Sequence, residues 1–114
     1  MIGGLFVRYL VEGVARDVAA GKRVLVAMPS MMEAREVFCR VAEAGDWSRV
    51  QRTYGMESVE HGSGGRAWFR SASSHGVRGI QCDVLVVVGD AADHLDELLP
   101  AVVPGGEVVR LSGS

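Results

Sequence analysis

The amino-acid sequence predicts an α/β fold: a three-layer sandwich around a short parallel sheet, extended at one edge by an antiparallel hairpin. Three observations carry that expectation. Val84 to Val88 is an unbroken run of apolar β-formers, opened by Asp83 and closed by Gly89-Asp90. Such a run, bounded by turn residues, suits a strand buried on both faces at the centre of a parallel sheet. Residues 23–28 form a similar run between two stretches of helical apolar spacing, and alternation of helix and strand is the mark of α/β architecture. Residues 49–53 and 66–71 instead alternate polar and apolar, as half-exposed antiparallel strands do.

Taken in order, residues 5–20 repeat Val7, Leu10, Val11, Val14 and Val18 at three- and four-residue steps, one face of a helix. Arg8, Glu12 and Arg16 form the opposite stripe, with Glu12 four residues before Arg16. Leu5, Phe6 and Tyr9 widen the apolar arc beyond what a surface helix needs, which predicts a cover for it. Gly21-Lys22 ends the helix and 23–28 is the first strand. Ser30 with Glu33 three residues on is a capping box, followed by Ala34, Val37, Phe38, Val41 and Ala42 at helical spacing, with Gly45 as the stop. The hairpin strands 49–53 and 66–71 flank Tyr54-Gly55 and the glycine-rich 61–65, and 57–60 suits a short third strand of a meander. After the central strand at 84–88 come a short helix near 92–99, with Asp93 as its cap, a turn at Pro104-Gly105-Gly106, and a last strand at 107–111. Right-handed crossovers make 23–28, 84–88 and 107–111 parallel.

With 114 residues, 48 % of them hydrophobic, the chain reads as a single domain over 1–114. A net charge of −2 gives no overall pull toward nucleic acid or anionic membrane. Cys39 and Cys82 show neither C-x-x-C nor a histidine at ligand spacing, so a reducing compartment is expected and a disulfide or zinc site is not. Residues 5–20 are too interrupted by Arg8, Glu12, Arg16 and Asp17 to span a membrane and lack the build of a signal peptide. The expectation is a cytoplasmic protein with no membrane partner.

Ligands of open α/β sheets gather at the carboxyl ends of the strands, which directs attention to Gly89, Asp90 and Asp93. An acidic residue there suits Mg²⁺ and water in a nucleotide hydrolase; Gly-Asp after a strand is equally ordinary turn and capping chemistry. Arg49, Arg52, Arg66 and Arg70 alternate on the two hairpin strands around Trp68, with Arg78 in the next loop, a basic and aromatic interleaving that suits single-stranded nucleic acid. Glu57 and Glu60 oppose that use. His61, His75 and His94 have no Ser or Cys nucleophile at an elbow to serve. Trp47 and Trp68 suit packing better than ligand platforms.

The succession Pro29-Ser30 with Ala34 and Phe38, then Trp68, Phe69 and Ser71, then Arg78-Gly79, then Asp83 with the valine run, then Leu111-Ser-Gly-Ser114, resembles the ATPase core of phage large terminases. It is more loosely similar to superfamily-two helicases. The resemblance implies a RecA-type P-loop NTPase domain. The phosphate-cradling G-x-x-x-x-G-K-[ST] does not occur in the sequence, and Gly89-Asp90 stands where an Asp-Glu pair would hold the metal ion. Set against the family, the chain looks truncated just downstream of the P-loop, with a degenerate Walker B site. The implied reading is a catalytically inactive, phage- or prophage-encoded interaction module with no cofactor and no metal. Alternatives are a nucleic-acid-binding accessory domain and one half of a split ATPase. Without the family's neighbouring strands, residues 107–111 become an open edge and the first helix is half uncovered. Leu5, Phe6, Tyr9, Val108, Val109 and Leu111 are then expected to meet a second copy of the chain, or a host or phage protein.

Overall fold

In the computed structural model, residues 4–73, 77 and 79–111 are described. The elements run α1 (Gly4–Ala19), β1 (Arg23–Met28), α2 (Met31–Ala44), β2 (Arg49–Gln51), β3 (Ser58–Glu60), β4 (Arg66–Ser71) and β5 (Cys82–Val88). A 3-10 stretch (Gly89–His94), a one-turn helix α3 (Leu95–Leu98), a second 3-10 turn (Leu99–Ala101) and β6 (Val102–Leu111) complete the chain. They build one six-stranded sheet in the order β2-β3-β4-β1-β5-β6. β5 pairs in parallel with both β1 and β6, as its valine run requires: residues 84–88 are buried from both faces.

The fold class is the expected one, and its parallel part is larger by one strand. β4 is not the hairpin partner of 49–53; it pairs in parallel with β1, and β3 lies between it and β2. The polar–apolar alternation of 66–71 arises because one face of β4 packs Ala67 and Phe69 inward while Arg66 and Trp68 stay half-exposed. Exposure of one face, rather than antiparallel pairing, wrote that pattern.

α1 and α2 cover one face. Leu10, Val14 and Val18 from α1 and Ala34, Val37, Phe38 and Val41 from α2 meet Val24, Val26, Phe69, Val84 and Val86, with Phe38 and Phe69 edge to face at 5.6 Å. Ser30 caps α2 as expected, the Glu33 amide donating to Ser30 Oγ at 3.2 Å and Ser30 Oγ donating to Glu33 Oε1 at 3.2 Å. Gly45 stops α2 as expected, and it does so without a left-handed turn. Its backbone is extended, and a side chain there would run into the Trp47 ring. That ring is fixed by its Nε1 donating to the Val41 carbonyl at 2.8 Å.

The opposite face has a thinner cover, in which Ala91 and Leu98 sit on Leu25, Ala27, Leu85 and Val87. The expected helix near 92–99 is α-helical only over Leu95–Leu98 and is preceded by a 3-10 stretch that starts at Gly89, directly off the strand; Asp93 is therefore interior to that stretch and caps nothing. Pro104-Gly105-Gly106 is not a turn that precedes β6 but a bulge within it. Cys82 faces Val102, then the register shifts so that Val84 faces Glu107. Gly105 supplies a φ of +85°, and a side chain on Gly106 would collide with Val102 and the Asp83 carbonyl. No helix among the described residues is long and apolar enough to cross a membrane.

Candidate functional site

The carboxyl ends of β1, β4 and β5 lie side by side, since Met28 faces Ser71 and Ala27 faces Val87. The edge so formed presents the Ser30 cap, Ser71 and Ser73 with hydroxyls 3.2 Å apart, and Gly89-Asp90. Gly89 takes a positive φ of +55° that turns the chain sharply into the 3-10 stretch, leaving Asp90 exposed. Among the described residues, no three His, Cys, Asp or Glu side chains converge as metal ligands. Among the described residues, hydroxyls and the solvated Asp90 carboxylate are what this edge offers a ligand.

Beside it lies a charged cluster that the sequence pattern hides. Glu57 is fully buried, and Arg35, in the first turns of α2, donates from Nη1 to its Oε2 at 2.7 Å. The other oxygen, Oε1, has no hydrogen-bond partner. Arg70 reaches under β3, donating from Nη1 to the Glu57 carbonyl at 2.7 Å and to the Phe69 carbonyl at 3.0 Å. Burial pulls the Arg70 guanidinium below its ordinary value, while the Glu57 carboxylate pushes it back up. These groups tie α2, β3 and β4 together at the carboxyl edge. Glu57 reads in sequence as a surface residue of a short strand; the signal that marks it is its place in the meander, next to a strand that carries Phe69 inward.

The expected basic face does not assemble. Arg70 is buried. The Arg52 guanidinium lies over the Phe38 ring at 5.9 Å, toward α2. Arg78 lies outside the described residues. Arg49 and Arg66 do share a face, separated by Glu60 on the intervening strand. Arg23 is held by Asp83 through its backbone N at 2.9 Å and its Nε and Nη2 at 3.1 Å each, which raises the guanidinium and lowers the carboxyl from their ordinary values.

The histidines are placed as loop and turn residues: His61 Nδ1 accepts from the Ser63 amide, and His94 Nδ1 lies 3.7 Å from Glu97. His75 lies outside the described residues. Burial pushes the Cys82 thiol up to about 11, which keeps it protonated and a poor nucleophile.

Of the expected interface residues, the side chains of Leu5, Phe6 and Tyr9 lie outside the described residues. Val109 and Leu111 are partly buried against the helix-side core, whereas Val108 on the other face is 38 % exposed. The strand that carries them ends the sheet, and no described segment lies beyond it.

No protein-family model and no curated protein matches the chain. Among solved structures, the large terminase of bacteriophage HK97 superimposes with a TM-score of 0.61 over 96 % of this chain, at 15 % sequence identity. The chain has a terminase-like fold. It spans about a quarter of the terminase's length (26 %), so the likeness concerns architecture and leaves the larger protein's activity outside it.

Proposed function

We propose that this chain is a protein-interaction module built on a terminase-like fold, and that it pairs with a second copy of itself along β6. The observation that carries the reading is the ten-residue β6 at the end of the sheet with an exposed Val108. A strand of that length presents a row of backbone donors and acceptors to whatever lies alongside. A two-fold axis normal to the sheet sets two β6 strands antiparallel and brings Val108 beside Val108 of the other copy, an apolar pair at the centre of an extended sheet. Glu107 and Arg110 are three residues apart and so on opposite faces of the strand, and neither face of the edge carries two like charges. In the dimer the β6 amides become more protected from hydrogen exchange as protein concentration rises, while the β2 amides do not change. Equal exchange of β6 at low and high concentration would remove the reading.

The module does not hydrolyse ATP by itself. A phosphoryl-transfer site draws its rate from a phosphate cradle, a lysine and a held metal ion, and the carboxyl edge supplies Asp90 alone among acidic groups at the end of β5. Mg²⁺-dependent phosphate release that disappears in Asp90→Ala would contradict this. The likeness to a phage terminase supports a phage or prophage origin. A second reading, one half of a split ATPase, rests on the quarter-length match; it requires a neighbouring reading frame carrying G-x-x-x-x-G-K-[ST] whose product restores hydrolysis on mixing.

A further inference from the structure

At the amino end of the sheet, on the face away from α1 and α2, five charged side chains form one row across the strands. Arg49 stands beside Glu60, Glu60 beside Arg66, and Arg66 beside Arg23; Arg23 in turn holds Asp83. Two couples close within the row. Arg49 Nε lies 3.9 Å from Glu60 Oε2, and Arg23 Nη2 lies 3.1 Å from Asp83 Oδ1. That leaves Arg66, which has no hydrogen-bond or ion-pair acceptor for its side chain among the described residues; its Nε is shut off from water and unpartnered. A shielded donor with nothing to donate to is uncommon in a folded protein, and a site awaiting an acceptor is one of the few settings that keeps one.

The surroundings of Arg66 suit a ligand. Its guanidinium lies over the Trp68 ring at 5.1 Å, a stack that fixes the plane of the fork; with Nε shielded, the Nη1–Nη2 edge is the one that faces an in-plane acceptor. The stack sits in a cleft of about 400 Å³, whose other walls are Arg23, Glu60, Gln81 and the backbone of Gly64 and Gly79, with Glu60 coupled to Arg49 and Arg23 to Asp83. That volume is within the range of small-molecule sites. The charge count sets the ligand's size: one uncompensated cation matches one anionic group. A nucleic-acid strand laid along the row would pass over Glu60 and Asp83, which repel it, and would find two of the three arginines already neutralised.

We propose that this cleft binds a small molecule carrying a single phosphate group, with the edge of the Arg66 guanidinium as the phosphate fork and Trp68 as its platform. The site is at the opposite end of the strands from Gly89-Asp90 and is independent of the β6 pairing. Calorimetric titration with inorganic phosphate and with adenosine monophosphate tests it, and the Trp68 indole resonance reports the location. Saturable binding of both assigns free phosphate as sufficient; binding of the monophosphate alone assigns a phosphate ester. In either case Arg66→Gln weakens binding about tenfold or more. Arg66→Lys, which keeps the charge without the fork, falls between, and Arg40→Gln, on α2 across the sheet, binds as the unaltered chain does. Unchanged thermal melting of the Arg66 variants separates loss of the fork from loss of the fold, and the Lys variant serves if Gln does not fold. Absence of binding by both probes at millimolar concentration overturns the proposal, as does full-strength binding by Arg66→Gln. Tight, steeply salt-dependent binding of an oligothymidylate in place of both probes overturns it in favour of a nucleic-acid surface.

Discussion

β2 and β6 terminate the same sheet, yet β2 contributes three paired residues and β6 a ribbon of ten. The β2 end is short and polar: Ser48 donates from N and Oγ inward to the Glu60 carbonyl of β3, the Gln51 side chain accepts from Thr53, and the Arg49 side chain is 70 % exposed at the rim. Short length and an edge arginine are ordinary ways of discouraging strand addition. β6 has one charge on each face within 107–111, an exposed Val108 between them, and a bulge that ends at Gly106, just before that regular stretch. The two edges thus differ in length and in charge, and the proposed pairing belongs to the longer one.

The comparison extends to what holds each edge. The β2 side hangs on Phe38 and Phe69 and on the Arg35–Glu57 pair; the β6 side hangs on β5 with Val109 and Leu111 packed below. Phe69→Ala therefore has the largest effect, destabilising the fold by about 3–5 kcal/mol in urea unfolding. Loss of stability below about 1 kcal/mol would show that the meander is not anchored through this ring. Glu57→Ala leaves the buried Arg70 without its nearby carboxylate and Arg35 without its partner. Because Arg35 is 39 % exposed, the expected loss is about 1–3 kcal/mol, short of that for a fully buried pair. Glu57→Gln, which keeps an acceptor for Arg35, loses less. Both substitutions act on the β2 side and leave self-association through β6 unchanged.

The smallest expected effect is on pH dependence. Hydrogen bonds from Arg23 lower the folded-state value of Asp83, so the couple supports the fold above the ordinary carboxylate range and its support fades as pH falls through the lowered value. Asp83→Asn flattens the stability profile below about pH 4 and leaves it almost parallel to the original above pH 6. A profile unaffected by the substitution would make the couple a geometric feature without energetic weight.

Much of the fold was legible because single residues announce it. Ser30 with Glu33 marked the start of α2, the valine run marked β5, and Arg23 to Met28 was bounded as found. The hidden parts are those that tertiary contacts decide. Nothing local in Arg66–Ser71 says whether its neighbour is parallel, and Pro104-Gly105-Gly106 reads the same in a turn and in a bulge. The candidate site was legible in outline only. Alternation placed Arg66 and Arg70 on one face, but not that Arg70 ends beneath β3 on two carbonyls while Arg66 ends on Trp68. Glu57 gave no sign of burial because its partner Arg35 is 22 positions away in sequence.

Sedimentation equilibrium of the chain and of Val108→Lys, compared at concentrations up to high micromolar, tests the central claim most directly. The account predicts a concentration-dependent dimer that Val108→Lys returns to monomer, with the melting temperature of the monomer preserved and with Gln51→Lys on the β2 edge still dimeric. A strict monomer for the unaltered chain across the range, or a dimer that survives Val108→Lys intact, would contradict it.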